Sequence, residues 1–196
     1  MCGRFYVDEK IEKEIWNIVR DVDQRLKLPT VGEIRPADSA LIIHGESRIL
    51  TADTMRWGFK QYSSSSLIIN ARSETVTEKP VFSDSIWQRR CVIPASWFYE
   101  WNSKREKVTF KRTDGSVLYM AGFYQRYEEG NCFVILTTGA NNSMKPVHDR
   151  MPVILDRNEL EEWVYDDGYM KYILNRTPIE LMREQEYEQQ SFIFYV

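Results

Sequence analysis

The chain is poor in cysteine and histidine and has no long apolar run, and each scarcity excludes something. Its apolar stretches end after about seven residues, far short of the roughly 20 that a membrane-spanning helix needs. The opening Met1-Cys2-Gly3-Arg4-Phe5 lacks the apolar core of a secretory signal, so a cytoplasmic protein that contacts no membrane is expected. Three cysteines at scattered spacing form neither a disulfide framework nor a zinc pattern, and they suit a reducing compartment. With two histidines and no clustered ligand set, neither a metal nor another cofactor is expected. A net charge of −3 argues against a generic nucleic-acid binder. Repeats, low-complexity tracts and linkers are also missing. The 196 residues therefore suit one domain over 1–196, expected to act as a monomer.

What is present is uneven. Residues 156–196 carry ten acids against four bases, a net −6, which leaves +3 on residues 1–155. This is either an acidic solvated face near the carboxyl end or a mildly basic working face that the total conceals. Asp8 can cap a helix running to about Asp23, with Ile11, Ile15, Ile18, Val19 and Val22 at helical spacing. Short β-like runs follow at 41–44, 49–52, 55–59 and 67–69, with a polar serine loop at 63–66. More come at 91–93, 98–101, 108–112, 117–124 and 132–138, with a closing strand at 191–196. Thr113-Asp114-Gly115 between two of these runs signals a hairpin. Residues 159–165 and 169–174 look helical. Many short strands with few helices predict an α+β domain of twisted antiparallel sheet.

Reactive side chains in the polar stretches between apolar strands are the candidates for chemistry. Cys2 is the first. A small second residue permits removal of the initiator methionine, which would leave Cys2 with a free α-amine beside its thiol. That 1,2-aminothiol condenses with aldehydes: the amine forms an imine and the thiol closes a thiazolidine ring. An α-amine with a pKa near about 8 keeps a usable neutral fraction at pH 7. The plain alternative is a small residue that happens to follow Met1.

Three further segments qualify. Asn70-Ala71-Arg72-Ser73-Glu74-Thr75 ends an apolar run in an amide and a guanidinium. Asn70 could orient an amine or a carbonyl and Arg72 a phosphate, or the pair could be a helix cap and a surface arginine. Glu100 lies between Tyr99 and Trp101. Burial among rings disfavours a charged carboxyl and suits a proton shuttle, whereas the alternative is a solvent-facing strand residue. His148 sits in the proline-bounded loop Pro146-Val147-His148-Asp149-Arg150-Met151-Pro152 and is either a proton carrier or a loop-bonded imidazole. His44, in an apolar strand, reads as structural, and Cys91 and Cys132 as core cysteines.

Taken together, these segments resemble one family, the SOS-response-associated peptidase (SRAP) proteins, also called abasic-site processing proteins. The resemblance rests on Met1-Cys2-Gly3-Arg4-Phe5, Met55-Arg56-Trp57-Gly58-Phe59, Asn70 to Thr75, and Arg90-Cys91-Val92-Ile93-Pro94 with Phe98-Tyr99-Glu100-Trp101. Met120-Ala121-Gly122-Phe123, Leu136-Thr137-Thr138 and His148 to Pro152 continue it, in order, to about residue 155. Two stretches depart from the family pattern: Ile34-Arg35-Pro36-Ala37-Asp38, and Lys60-Gln61 after Phe59. Both fall in loops that would touch DNA rather than at the reactive positions.

The resemblance implies a barrel-like sheet fold with flanking helices. It implies binding of single-stranded DNA and a covalent crosslink to the aldehyde of an abasic site. Cys2 would be the nucleophile, Asn70 would hold its amine, and Glu100 and His148 would move protons. Arg4, Arg72 and Arg150 would hold phosphates and Trp57 would stack on a base. An imine that does not close would permit β-elimination, a lyase activity. Three other readings stay open: a thiol peptidase that removes its own leader through Cys2, a single-strand binding module with an inert Cys2, and a purely structural domain.

Overall fold

Alternation of apolar and polar residues builds strands here, and the way two sheets share them places the amino terminus. The computed structural model describes residues 2–19, 31–61 and 64–185. Strand β1 (Arg4–Val7) leads into helix α1 (Glu9–Ile18), followed by β2 (Gly32–Ile34), β3 (Ser39–Glu46) and β4 (Ile49–Trp57). Three short strands come next: β5 (Phe59–Gln61), β6 (Ser64–Ile68) and β7 (Asn70–Arg72). Helix α2 (Pro80–Gln88) precedes β8 (Arg90–Ala95), β9 (Trp97–Trp101) and β10 (Lys107–Lys111). The long strands β11 (Leu118–Tyr127) and β12 (Gly130–Gly139) form a hairpin. Strands β13 (Arg150–Pro152) and β14 (Ile154–Leu155), helices α3 (Leu160–Tyr165) and α4 (Asp167–Asn175), and β15 (Met182–Gln185) complete the described order.

Five strands close into a barrel. β12 pairs β4 in parallel, and β4–β3, β3–β8, β8–β11 and β11–β12 are antiparallel. β8 is buried at every residue because one face lines the barrel while α2 and α3 cover the other. Gly122 on β11 must be glycine: a Cβ there would lie 2.5 Å from both Ile93 Cδ1 and the Val134 carbonyl oxygen. The second sheet, in the order β15-β10-β9-β1-β2, is antiparallel throughout. Its inner face buries Phe5, Val7, Phe98, Val108 and Phe110. The α+β expectation with barrel-like sheets therefore holds.

The Asp8 cap is also as expected: its carboxylate accepts from the Lys10 amide at 3.0 Å, and Ile11 and Ile15 are buried. Helix α1 ends at Ile18, and the expected extension toward Asp23 runs into residues outside the described set, as does the strand at 191–196. Two expectations are corrected. Thr113-Asp114-Gly115 makes no hairpin, because β10 pairs β9 and β15 while β11 belongs to the barrel. The turn is real, with Gly115 at φ +70°, but it carries the chain from one sheet to the other. The serine segment, expected as a loop, forms most of β6: Ser64, Ser65 and Ser66 extend a strand whose Leu67 and Ile68 pair with Lys60 and Phe59. Ser64 also pairs, with Gln61, so the serines are part of the ladder.

Candidate functional site

β1 begins two residues after Cys2 and pairs β9 with Arg4 opposite Tyr99. Extending that register by one step points Gly3 toward Glu100, in keeping with the action of the Glu100 charge on the Cys2 thiol. Cys2 is 1% exposed and Glu100 is 4% exposed, so the two share an interior setting. The Cys2 thiol donates weakly to the Arg4 carbonyl at 3.8 Å. Burial, and then the negative charge of Glu100, push this thiol far above its ordinary value and keep it protonated.

Asn70 reaches the same place from the barrel. It opens β7, which runs parallel to β12 with Asn70 opposite Ile135. Its Nδ2 donates to the Cys2 carbonyl at 3.0 Å. Asn70 was expected to hold the Cys2 amine, and the amide contact found is to the carbonyl instead. The other end of the amide, Oδ1, is buried and has no hydrogen-bond partner among the described residues. A buried acceptor left open beside Cys2 is suited to take an N–H from that residue.

Beyond Asn70 the chain turns through a charged network. Arg150 at the start of β13 forks onto Glu74, with Nη2 to Oε2 at 2.9 Å, and also donates to the Thr137 carbonyl at 2.6 Å. The Ser73 amide donates to that same carbonyl at 2.8 Å, which locks the loop after β7 against β12. The Arg150 hydrogen bond holds the Glu74 carboxyl below its ordinary range. The Arg150 amide donates to His148 Nδ1 at 2.9 Å. An amide can only donate, so Nδ1 is the acceptor and the neutral ring carries its proton on Nε2. Asp149 Oδ1 also lies 2.9 Å from Nδ1, but Asp149 is almost fully exposed and a pair with so exposed a partner is worth little, so the main-chain bond decides.

The structure thus bonds Asn70 to Cys2, sets Glu100 close enough for its charge to act on the thiol, and places His148 in the neighbouring network. The expected phosphate holders fare differently. The Arg72 side chain is exposed and makes no ion pair or hydrogen bond among the described residues, although it acts on the charge of Glu74, so it can meet a ligand. Arg4 is shared: it bonds Glu33 at 3.2 Å and lies 5.0 Å over the Trp101 ring. Arg150 is corrected from phosphate holder to brace, because Glu74 and Thr137 occupy its guanidinium. Trp57 is corrected more sharply. It is fully buried, donates from Nε1 to the Ile69 carbonyl at 2.9 Å and packs on Phe5 and Phe133, so no base can stack on it. Its role is to hold the strand end that presents Asn70. Trp57→Ala is expected to lower unfolding stability by about 3–5 kcal/mol, read as a drop in the denaturation midpoint.

Sequence reasoning missed Glu74, the partner that takes Arg150 out of service. Its position two residues after Arg72 was visible, but its partner lies far along the chain. No group of three or more His, Cys, Asp or Glu side chains able to hold a metal occurs among the described residues.

Cys2 is buried, with Asn70 bonded to its carbonyl and the Glu100 charge acting on its thiol. The chain belongs to the family described as SOS response associated peptidase (SRAP), whose model matches residues 1–189. It is 32% identical over 181 residues to the abasic site processing protein YoaM of Bacillus subtilis, covering 84% of this chain and 79% of YoaM. It is 26% identical over 177 residues to the abasic site processing protein YedK of Escherichia coli, covering 84% and 79%. A crystal structure of a protein from Bacteroides thetaiotaomicron, 21% identical, matches with a TM-score of 0.79 over 95% of this chain and 93% of that one. That likeness is one of fold.

Proposed function

We propose that this protein binds single-stranded DNA and captures abasic sites as a thiazolidine through Cys2 once Met1 is removed. The observation that carries the reading is the convergence of Cys2, Asn70 and Glu100 in one buried site, with Asn70 bonded to Cys2 itself. The names of YoaM and YedK support abasic-site processing as the task.

The chemistry follows from the environment. The Cys2 amine attacks the ring-opened aldehyde, and water leaves the carbinolamine to give an imine. The thiol then adds to the imine carbon, and its proton passes to the nitrogen. Glu100 beside the thiol is suited to carry that proton, and His148 Nε2–H to donate a hydrogen bond to the departing oxygen. The negative Glu100 also disfavours an early thiolate. A protonated imine brings a positive charge that offsets this, which favours ring closure after capture. If the ring fails to close, the imine permits β-elimination, which would be the lyase activity. A thiol-peptidase reading gains nothing from His148, whose Nδ1 already accepts the Arg150 amide and whose Nε2 is a donor.

The test is to mix mature protein with abasic and with intact single strands and run denaturing gels. A band shift with abasic DNA alone is expected. No adduct with either strand would end the reading in favour of plain binding or peptidase activity. Arg72 supplies a quantitative check. Arg72→Ala should weaken binding to every sequence equally and reduce the salt slope by about 0.7, the share of one single-strand phosphate contact. A titration against salt reads it, and an unchanged slope would remove Arg72 from the interface.

A further inference from the structure

The outer face of the five-stranded sheet carries a row of rings and cations that the capture chemistry does not use. Successive side chains on a strand point to opposite faces, so the face opposite the buried Phe5, Phe98 and Phe110 is set by register. Arg4 stands opposite Tyr99, Tyr6 opposite Trp97, and Lys107 opposite Trp101. The row starts at Trp101, which follows Glu100 in β9 but faces the other side of the sheet, under the Arg4 guanidinium. It continues with Tyr99, whose ring lies 3.8 Å from Lys107 Nζ. It ends at Tyr6 and Trp97, stacked face to face at 4.3 Å and 5°. Trp97 is fixed there by its Nε1 bond to the Tyr99 hydroxyl at 2.6 Å, yet it and Tyr6 are both only half-buried. From Trp101 to Trp97 the strand covers roughly 13 Å.

The charge suits an anion. Arg4, Arg35 and Lys107 converge on a single carboxylate, Glu33, which they hold in its charged form against the opposing effect of its burial. One acid among three bases leaves a positive excess. Past Trp97 the row opens into a cleft of about 210 Å³ whose charged lining is Lys10 and Lys111 with one acid, Asp8. Lys111 is shared with Glu184, while Lys10 is exposed on α1.

We propose that this row is a track for single-stranded DNA leaving the Cys2 site, with a base continuing the Tyr6–Trp97 stack and phosphates following Lys107, Lys10 and Lys111. Rings interleaved with cations bind any base by its face and the backbone by its charge. A duplex keeps its base faces covered and has nothing to place on the rings. The inference rests on the proposed capture of abasic DNA at Cys2, because that site gives the track its starting point.

The test compares abasic oligonucleotides that end one nucleotide from the lesion with ones extended by six, on the 5′ side or the 3′ side. Wild-type protein should bind one of the two extended forms more tightly than the short one. Trp97→Ala should lower affinity for that form by about tenfold or more and leave the short form unchanged, since a stacked base is worth about 1–3 kcal/mol by alanine substitution. Trp97→Phe should restore most of it. Lys10→Glu with Lys111→Glu touches no core residue and should reduce the salt slope for the extended form only, which keeps the test open if Trp97→Ala folds poorly. Equal affinity of all variants for the extended forms, with crosslinking intact, would overturn the track and leave Cys2 capture standing. Loss of crosslinking in wild-type protein on every oligonucleotide would instead overturn the capture reading.

Discussion

Mature protein carrying Cys2→Ala should form no complex with abasic DNA that survives denaturation. Alanine still offers a terminal amine, so a labile imine can form, but no thiol remains to close the ring. The structure makes this substitution clean. Asn70 bonds the main-chain carbonyl of residue 2, which alanine keeps, so the site's anchor is unaffected. The thiol's own contact is a long one to the Arg4 carbonyl, and losing it costs little. Non-covalent affinity should stay near that of the wild type, read by fluorescence anisotropy with intact single strands. A normal yield of heat-stable adduct from Cys2→Ala would refute Cys2 as the ring-closing residue.

Glu100→Gln should slow adduct formation by about 10²- to 10⁴-fold, the usual contribution of a general acid–base group, without weakening DNA binding. This substitution separates two roles. As a negative charge, Glu100 suppresses the Cys2 thiolate. If that were its whole effect, glutamine would release the thiol and speed the reaction. If Glu100 carries the proton, glutamine keeps the shape and the burial but cannot take it, and the rate falls. Single-turnover kinetics across pH 6 to 8 decide between them, and a rate equal to or above the wild type would remove Glu100 from the mechanism.

The parts of this design that the sequence made legible are local ones. The Asp8 cap, the helical spacing of Ile11 and Ile15 and the apolar runs of the barrel all follow from short-range periodicity, and they stand where expected. Helix α2 was overlooked although Pro80 at its first turn is a start signal and Phe82 and Ile86 have helical spacing. The hairpin at Thr113–Gly115 failed for a different reason: turn chemistry shows that the chain reverses, not which sheet receives the next strand.

The site divides along the same line. Cys2, Asn70, Glu100 and His148 could be named from their settings, but their partners come from pairings remote in sequence. Whether Asn70 meets an amine or a carbonyl depends on how β1 approaches β7. Whether Arg150 faces a phosphate or Glu74 depends on the loop after β7 folding back onto β12. Trp57 misled because a tryptophan at a strand end looks the same in sequence whether it faces solvent or the core. The Tyr6–Trp97 stack stayed hidden because it needs the β1–β9 register.

The central claim is that the protein's own amino terminus is the chemical reagent, and the intact mass of the adduct tests it most directly. Protein incubated with an abasic oligonucleotide and separated under denaturing conditions should give a species equal to the chain without Met1 plus the oligonucleotide minus one water. Peptide mapping should place the link at Cys2. An adduct that retains Met1, or one attached at an internal lysine, would contradict it.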